Sequence, residues 1–261
     1  MTRQGRIAVL TNYREQDETL AVGARSRGLI PNAWLKSDPQ SEETSDQFAK
    51  RMIEKESVKG VGGFSLVYGF MQDVVRGGSP GLGLISNRTP DVLGVVHLAS
   101  GPGETHALSN AAYCDRTWPK VINGEEWTKA AIAKSVEVDE GRDQLVSRLL
   151  KVLSTDSMPR QKQNEEWDMY LNQLRHSIFI PAIGKDDLEE SKMPVHEIGD
   201  LVKQKAACAT DGVYGTQKNI IIMVNKEGKV YYFERTLYDR DAKPIKAGQG
   251  DRTFEYQVEG W

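Results

Sequence analysis

The strongest hydrophobic pattern lies in the last quarter of the chain. Asn219–Val224 opens into a run of isoleucines, and Val230–Phe233 follows as valine and aromatics. β-Branched and aromatic residues suit a pleated, packed surface. Between the runs, Asn225-Lys226-Glu227-Gly228 supplies residue types that tolerate positive φ. The spacing predicts an antiparallel hairpin with a loop of about four residues. A run this short, with glycine where a turn needs it, argues against a buried helix. Because the first run is apolar on both faces, it is expected to be a strand covered on both sides.

Elsewhere the pattern predicts further strands at Ile7–Tyr13, Phe64–Phe70, Gly83–Ser86 and Gly94–Leu98, with a last one at Arg252–Val258. Leu29–Leu35 is a short apolar patch. Phe48, Met52 and Ile53 recur at helical spacing within Thr44–Glu56, so that segment reads as a surface helix. Arg76–Gly81 is a loop by composition. The middle third is helical: Trp118, Val121, Trp127 and Ile132 form one stretch, punctuated by Asn123-Gly124. Leu145, Leu149 and Val152 form a second, widened by Val146, Leu150 and Leu153; Trp167, Leu171 and Leu174 form a third. These aromatics are read as packing rather than as a ligand box. Ser177–Ile183 returns to β character, and Lys185–Lys205 is a charged surface loop with a short helix. Strands, then helices, then strands indicate an α+β fold with a sheet covered by helices.

Composition narrows the classes. The 261 residues carry a net charge of −3, with 39% hydrophobic positions. That balance gives no bulk basic footprint for nucleic acid. No apolar run is long enough to span a bilayer, and the first residues lack the core of a secretory signal. Cys114 and Cys208 lie far apart and read as thiols rather than a disulfide. The expectation is an intracellular, cytoplasmic protein.

Standard chemistry is mostly missing from the motifs. His97, His106, His176 and His196 lack the spacing of metal ligands. The glycine-rich segments around Gly77 and Gly101 have no following lysine and hydroxyl pair, so neither is a phosphate loop. The acidic run Asp186–Glu190 reads as a solvated face, and no nucleophile elbow is present. Two asparagines stand out. Asn12 ends the first strand, and Asn110 follows a strand-like stretch. At such positions an asparagine either stabilises a turn or offers its amide to one point, as in an oxyanion hole.

Several segments together resemble the transport and Golgi organization protein 2 family, also named for an Asn-Arg-Asp-Glu motif. They are IAVLTNYR from Ile7, SRGLIP from Ser26, GGFSLVYG from Gly62, SNR from Ser86, HALSNA from His106 with Trp118-Pro119, and the block from Tyr214 to Asp241. Their order and spacing cover nearly the whole chain, and the last block is the most specific. SIFIPAI with its long following loop is similar to the fungal branch.

The resemblance implies a single domain over residues 1–261 with the four-layer αββα sandwich of N-terminal-nucleophile hydrolases. It implies a role in secretion and Golgi organisation, with an unknown small-molecule or lipid ligand and haem by analogy only. It also implies Golgi or mitochondrial association. Related amidases use an N-terminal Cys, Ser or Thr whose own amine is the base, with asparagines like Asn12 and Asn110 flanking the oxyanion. An arginine expected after Gly215-Thr216 is Gln217 here. Neither the family's Met-Cys start nor its Asn-Arg-Asp-Glu run is present in the sequence. The reading is therefore of a domain without its first strands, leaving a sheet edge open to a protein partner, and of a chain that does not hydrolyse amides by the family route. Thr2, exposed by removal of Met1, is an alternative nucleophile.

Overall fold

The computed structural model describes residues 1–12, 26–55, 58, 61–77, 80–159, 173–182 and 214–261. It is an α+β protein with antiparallel sheets, as the sequence pattern indicates. The chain divides into two compact units.

The first unit comprises Met1–Arg116, Met223–Tyr231 and Glu255–Trp261. Its sheet has the order β1 (Arg6–Asn12), β2 (Phe64–Phe70), β3 (Leu82–Ser86) and β4 (Val96–Leu98). Every neighbouring pair is antiparallel, and the register runs straight across, as in Leu10↔Leu66↔Ile85. Each strand falls within two residues of its expected place. β1 is an outer strand among the described residues.

One face of this sheet is covered by helices. The patch Leu29–Leu35 is a helix, α1, and Ser45–Lys50 forms α2, continued by a π-helical turn over Arg51–Lys55. α2 starts with a capping box: Thr44 accepts the Gln47 N–H, while the Gln47 side chain accepts the Thr44 N–H. Trp34 from α1 and Phe48 from α2 are fully buried against Phe64, Leu66, Tyr68 and Ile85. Trp34 lies 4.9 Å from Phe48 and meets Tyr68 edge-on at 5.6 Å, geometry that adds attraction beyond area alone. Arg6, 3% exposed, lays its guanidinium over Trp34 at 4.2 Å and Phe70 at 4.8 Å.

Two glycines are required by close approach. Gly83 faces Tyr68 across the strand pair, and a Cβ there would lie 2.7 Å from the Tyr68 hydroxyl. Gly228 has φ +78°, and a Cβ would lie 2.2 Å from the Trp261 ring. A short helix, α3 (Met71–Arg76), was not foreseen; Gly77 ends it in the left-handed conformation.

The second unit comprises Thr117–Ile222 and Tyr232–Phe254. α4 (Pro119–Glu137) begins with proline at its first position, and α5 (Arg142–Leu153) packs against it. The Asn123-Gly124 pair is absorbed within α4 rather than breaking it. Arg148 grips Glu140 through two hydrogen bonds at 2.5 and 2.6 Å, tying α5 to the connection before it. The expected strand over Ser177–Ile183 is an irregular segment through Ala182, held by bonds of its own. The fully buried Ser177 hydroxyl donates to Phe179 O and accepts from the Ser157 N–H. Ile180 exchanges bonds in both directions with Thr216.

The hairpin is present as β5 (Lys218–Val224) and β6 (Lys229–Thr236), with β7 (Asp251–Gln257) completing a second sheet. Asn225–Gly228 is the connection, and Asn225 Oδ1 accepts the Lys229 N–H at 2.8 Å. Arg235 makes a bidentate pair with Asp251 at 2.8 and 2.7 Å. The expectation that β5 is covered on both sides fails. Asn219 and Ile221 are buried, whereas Ile220 between them is 46% exposed. Period-two alternation sends Ile220 to the other face, which the described residues do not cover. The helical stripe predicted around Trp167 and Leu171, the segment Lys185–Lys205, Cys208 and His196 fall outside the described residues.

Two outcomes follow from this packing. Replacing Trp34 with alanine removes the centre of the aromatic cluster and should destabilise the protein by about 3–5 kcal/mol, read as a lower midpoint in urea. In the second unit the Lys120 ammonium lies over Trp118 at 5.4 Å, and burial lowers its pKa to about 8. In the unfolded chain the amine keeps its ordinary value, so between about pH 8 and 10.5 the unfolded state binds more protons and folding stability rises with pH. A Lys120→Met variant should lack that rise in urea titrations across this window.

Candidate functional site

The sequence places its two candidate residues in the first unit, and the structure shows how each is held. β1 ends at Asn12, which is exposed and registers with Phe64 of β2. Beside it, Asn87 in the turn after β3 accepts the Phe64 N–H through its side chain at 3.4 Å. One row inward, Thr11, Ser65 and Ser86 stand abreast on three strands. The Ser86 hydroxyl accepts the Arg88 N–H at 3.1 Å, and the Thr89 hydroxyl accepts the Ser86 N–H at 2.8 Å. This end of the sheet is polar, and the Thr11 hydroxyl is buried there with no hydrogen-bond partner.

Asn110 sits half-buried in a bend of the long loop after β4. Turn-stabilising asparagines bond to nearby backbone, as Asn87 and Asn225 do. Among the described residues, neither the Asn12 nor the Asn110 side chain makes such a bond. The remaining candidates fare differently. Thr2 is spent locally: its N–H donates to Arg6 O at 2.9 Å and its hydroxyl accepts the Arg6 N–H at 3.2 Å. Gln217 is exposed just before β5, and its carbonyl accepts the Leu237 N–H at 2.8 Å.

Sequence reading missed a cluster in the same loop as Asn110. His106 Nε2 lies 2.8 Å from Glu104 Oε2, and Nδ1 lies 2.8 Å from the Tyr113 hydroxyl. The Glu104 carboxyl is held below its ordinary range, first by the His106 hydrogen bond and further by the backbone of Ser100 and Gly101. The spacing Glu-x-His could have flagged it, but the seven-residue reach from His106 to Tyr113 has no periodic signature. Of the other histidines, His97 is exposed on β4 and His176 is half-buried. Cys114 is exposed and free. Among the described residues no group of three or more His, Cys, Asp or Glu side chains could hold a metal ion.

Comparison with known proteins agrees with the sequence resemblance. The sequence profile of the family described as Transport and Golgi organisation 2 matches residues 1–239. A Transport and Golgi organization 2 homolog of Mus musculus is 28% identical over 262 residues, covering 99% of this chain and 77% of the relative. The Homo sapiens homolog shows the same identity and coverage. An uncharacterized protein of Saccharomyces cerevisiae is 24% identical over 254 residues, with 92% and 74% covered. A match that includes the β1 end, the Asn110 loop and the hairpin as far as Asp239 means that this chain belongs to the Transport and Golgi organisation 2 family.

Proposed function

We propose that this chain serves secretion and Golgi organisation by binding rather than by catalysis, a reading supported by relatives named for transport and Golgi organization. The ligand is a small molecule or lipid, taken up at the Asn12 end of the first sheet and by the Asn110 loop. The observation that carries this reading is that, among the described residues, neither amide bonds to backbone, while the Asn87 and Asn225 side chains do. A neutral amide offers one acceptor and two donors, which suits a carbonyl- or ester-bearing ligand better than a bare ion. The four-layer αββα sandwich is part of the proposal. It is supported by the two antiparallel sheets and by helices covering one face of the first. The outer position of β1 supports strand addition by a partner.

Haem is carried by family analogy alone. His106 has both ring nitrogens engaged, and His97 is exposed on a short edge strand. Among the described residues no helix is long and apolar enough to cross a membrane. Golgi or mitochondrial association would therefore not depend on any of those helices spanning a bilayer.

The role is tested in cells lacking their endogenous family member. Expression of this chain should restore secretion of a reporter, and the double variant Asn12→Ala, Asn110→Ala should restore it poorly while folding normally. Rescue by the double variant equal to that of the parent would sink the binding site.

The same two amides favour a second reading, an amidase of the N-terminal-nucleophile class. With the family's Met-Cys segment placed ahead of this chain, amide hydrolysis should fall about a hundredfold on Asn110→Ala, the usual loss for one oxyanion donor. Turnover indifferent to that change argues against the reading.

A further inference from the structure

One ring nitrogen of His106 has two rival partners. The Ala99 N–H donates to Nε2 at 3.2 Å, which requires a bare lone pair on that nitrogen. The Glu104 Oε2 atom lies 2.8 Å from the same nitrogen, and an ionised carboxylate only accepts, which requires a proton there. No single protonation state of the ring satisfies both. In the neutral ring Nε2 accepts from Ala99, so the proton sits on Nδ1 and is donated to the Tyr113 hydroxyl at 2.8 Å. In the imidazolium Nε2 carries a proton, the Ala99 bond is lost, and Glu104 becomes the partner in a charge-assisted bond. Nδ1 keeps its proton and its Tyr113 contact in both states, so the ring changes partner at Nε2 without turning over.

The two partners belong to different pieces of chain. Ala99 is the first residue after β4 and takes φ +52°, a left-handed conformation unfavourable to a residue with a Cβ. Its carbonyl and that of Leu98 press on Gly81, where a Cβ would lie 2.9 and 2.4 Å from them. Glu104 stands five residues further along, inside the loop. Its carboxyl is held below the ordinary range by the His106 bond and then by the Ser100 and Gly101 backbone, so it stays charged across the range in which histidines titrate. We propose that His106 is a proton-operated latch on the loop that carries Asn110. Without the proton it ties the loop to the strained residue at the end of β4. With the proton it releases Ala99 and closes the loop on itself through Glu104. The groups facing the ring are the Glu104 carboxylate and the Tyr113 phenol, and the His106 side chain is 27% exposed, so protons reach it from solvent. The setting of the loop, Asn110 included, thereby follows acidity. Any effect on a ligand at Asn110 rests on the binding role proposed above; the latch itself does not.

The test is nuclear magnetic resonance on the full chain, labelled with nitrogen-15, from about pH 5 to about pH 8. At the alkaline end the His106 ring should be the Nδ1–H tautomer, with a scalar coupling between the Ala99 nitrogen and Nε2. As His106 takes up its proton that coupling should vanish, and the Ala99 and Asn110 amide signals should shift with the same midpoint. His106→Gln should abolish the response, and Glu104→Gln should preserve the Ala99 bond to lower pH. His97→Gln, two residues from Ala99, should leave the response unchanged. Ala99 or Asn110 signals that stay still while His106 titrates, an Nε2–H tautomer at the alkaline end, or a response that survives His106→Gln each overturn the latch. Should His106→Gln fail to fold, the tautomer and coupling of the parent protein decide alone. Secretion rescue by the Asn12, Asn110 double variant would defeat the binding role and leave these spectra as expected, so the two failures are separable.

Discussion

The first unit depends on burying β2 from one side with two rings brought by separate helices. Trp34 and Phe48 are each fully buried, and both lie within 6 Å of the Tyr68 ring. Neither short helix would persist alone in water. Their apolar stripes are held by the sheet, and the sheet face is kept dry by them. Arg6 shows how tight that arrangement is. Its charge is enclosed between Trp34 and Phe70, with one nitrogen near the Ser41 carbonyl and the other without a partner. Burial pulls its pKa down, and the nearby Glu43 carboxylate opposes the shift. A cation kept there is tolerated because two aromatic faces replace part of its hydration.

That packing leaves one end of the sheet polar, and there the family's short motifs gather. The Ser86–Arg88 turn, the Asn12 end of β1 and the threonine and serine row beside it have little apolar contact to make. The loop after β4, which carries Asn110 and the Glu104–His106–Tyr113 cluster, leaves from the other end of that strand pair, where Leu98 registers with Leu82 and the Ala99 N–H donates to His106 Nε2. A rigid sheet carrying chemistry on its loops is the usual division of labour in enzymes and binding proteins alike.

Much of the architecture is legible in the sequence because strand periodicity is local. β2 follows its apolar alternation to the residue, and Asn225–Gly228 marks the hairpin turn through residue chemistry alone. Helical spacing locates α2 and α5. The stretch from Trp118 to Ile132 reads as helical and forms α4, whereas the Asn123-Gly124 pair taken to punctuate it lies inside the helix because packing overrides a modest helix-breaking tendency. α1 and α3 escape notice because six or seven residues give too little periodicity. Ile220 shows the opposite error: an isoleucine run looks buried on both sides, yet the sequence does not say whether a second layer exists. At the site, Asn12 and Asn110 are visible as residues at element ends. What makes them interesting, the lack of a backbone partner among the described residues, is a property of three-dimensional surroundings. The Glu104–His106–Tyr113 cluster is likewise a product of loop folding.

The contact between Tyr68 and Gly83 carries a consequence for assembly. The phenol ring lies across the bare α-carbon of the neighbouring strand, where a Cβ would come within 2.7 Å of it. Sliding β3 by one position would drive Leu82 or Leu84 beneath that ring and turn the strand's apolar side outward at once. The pair therefore works as a key and keyway. It excludes a slipped β2–β3 register sterically.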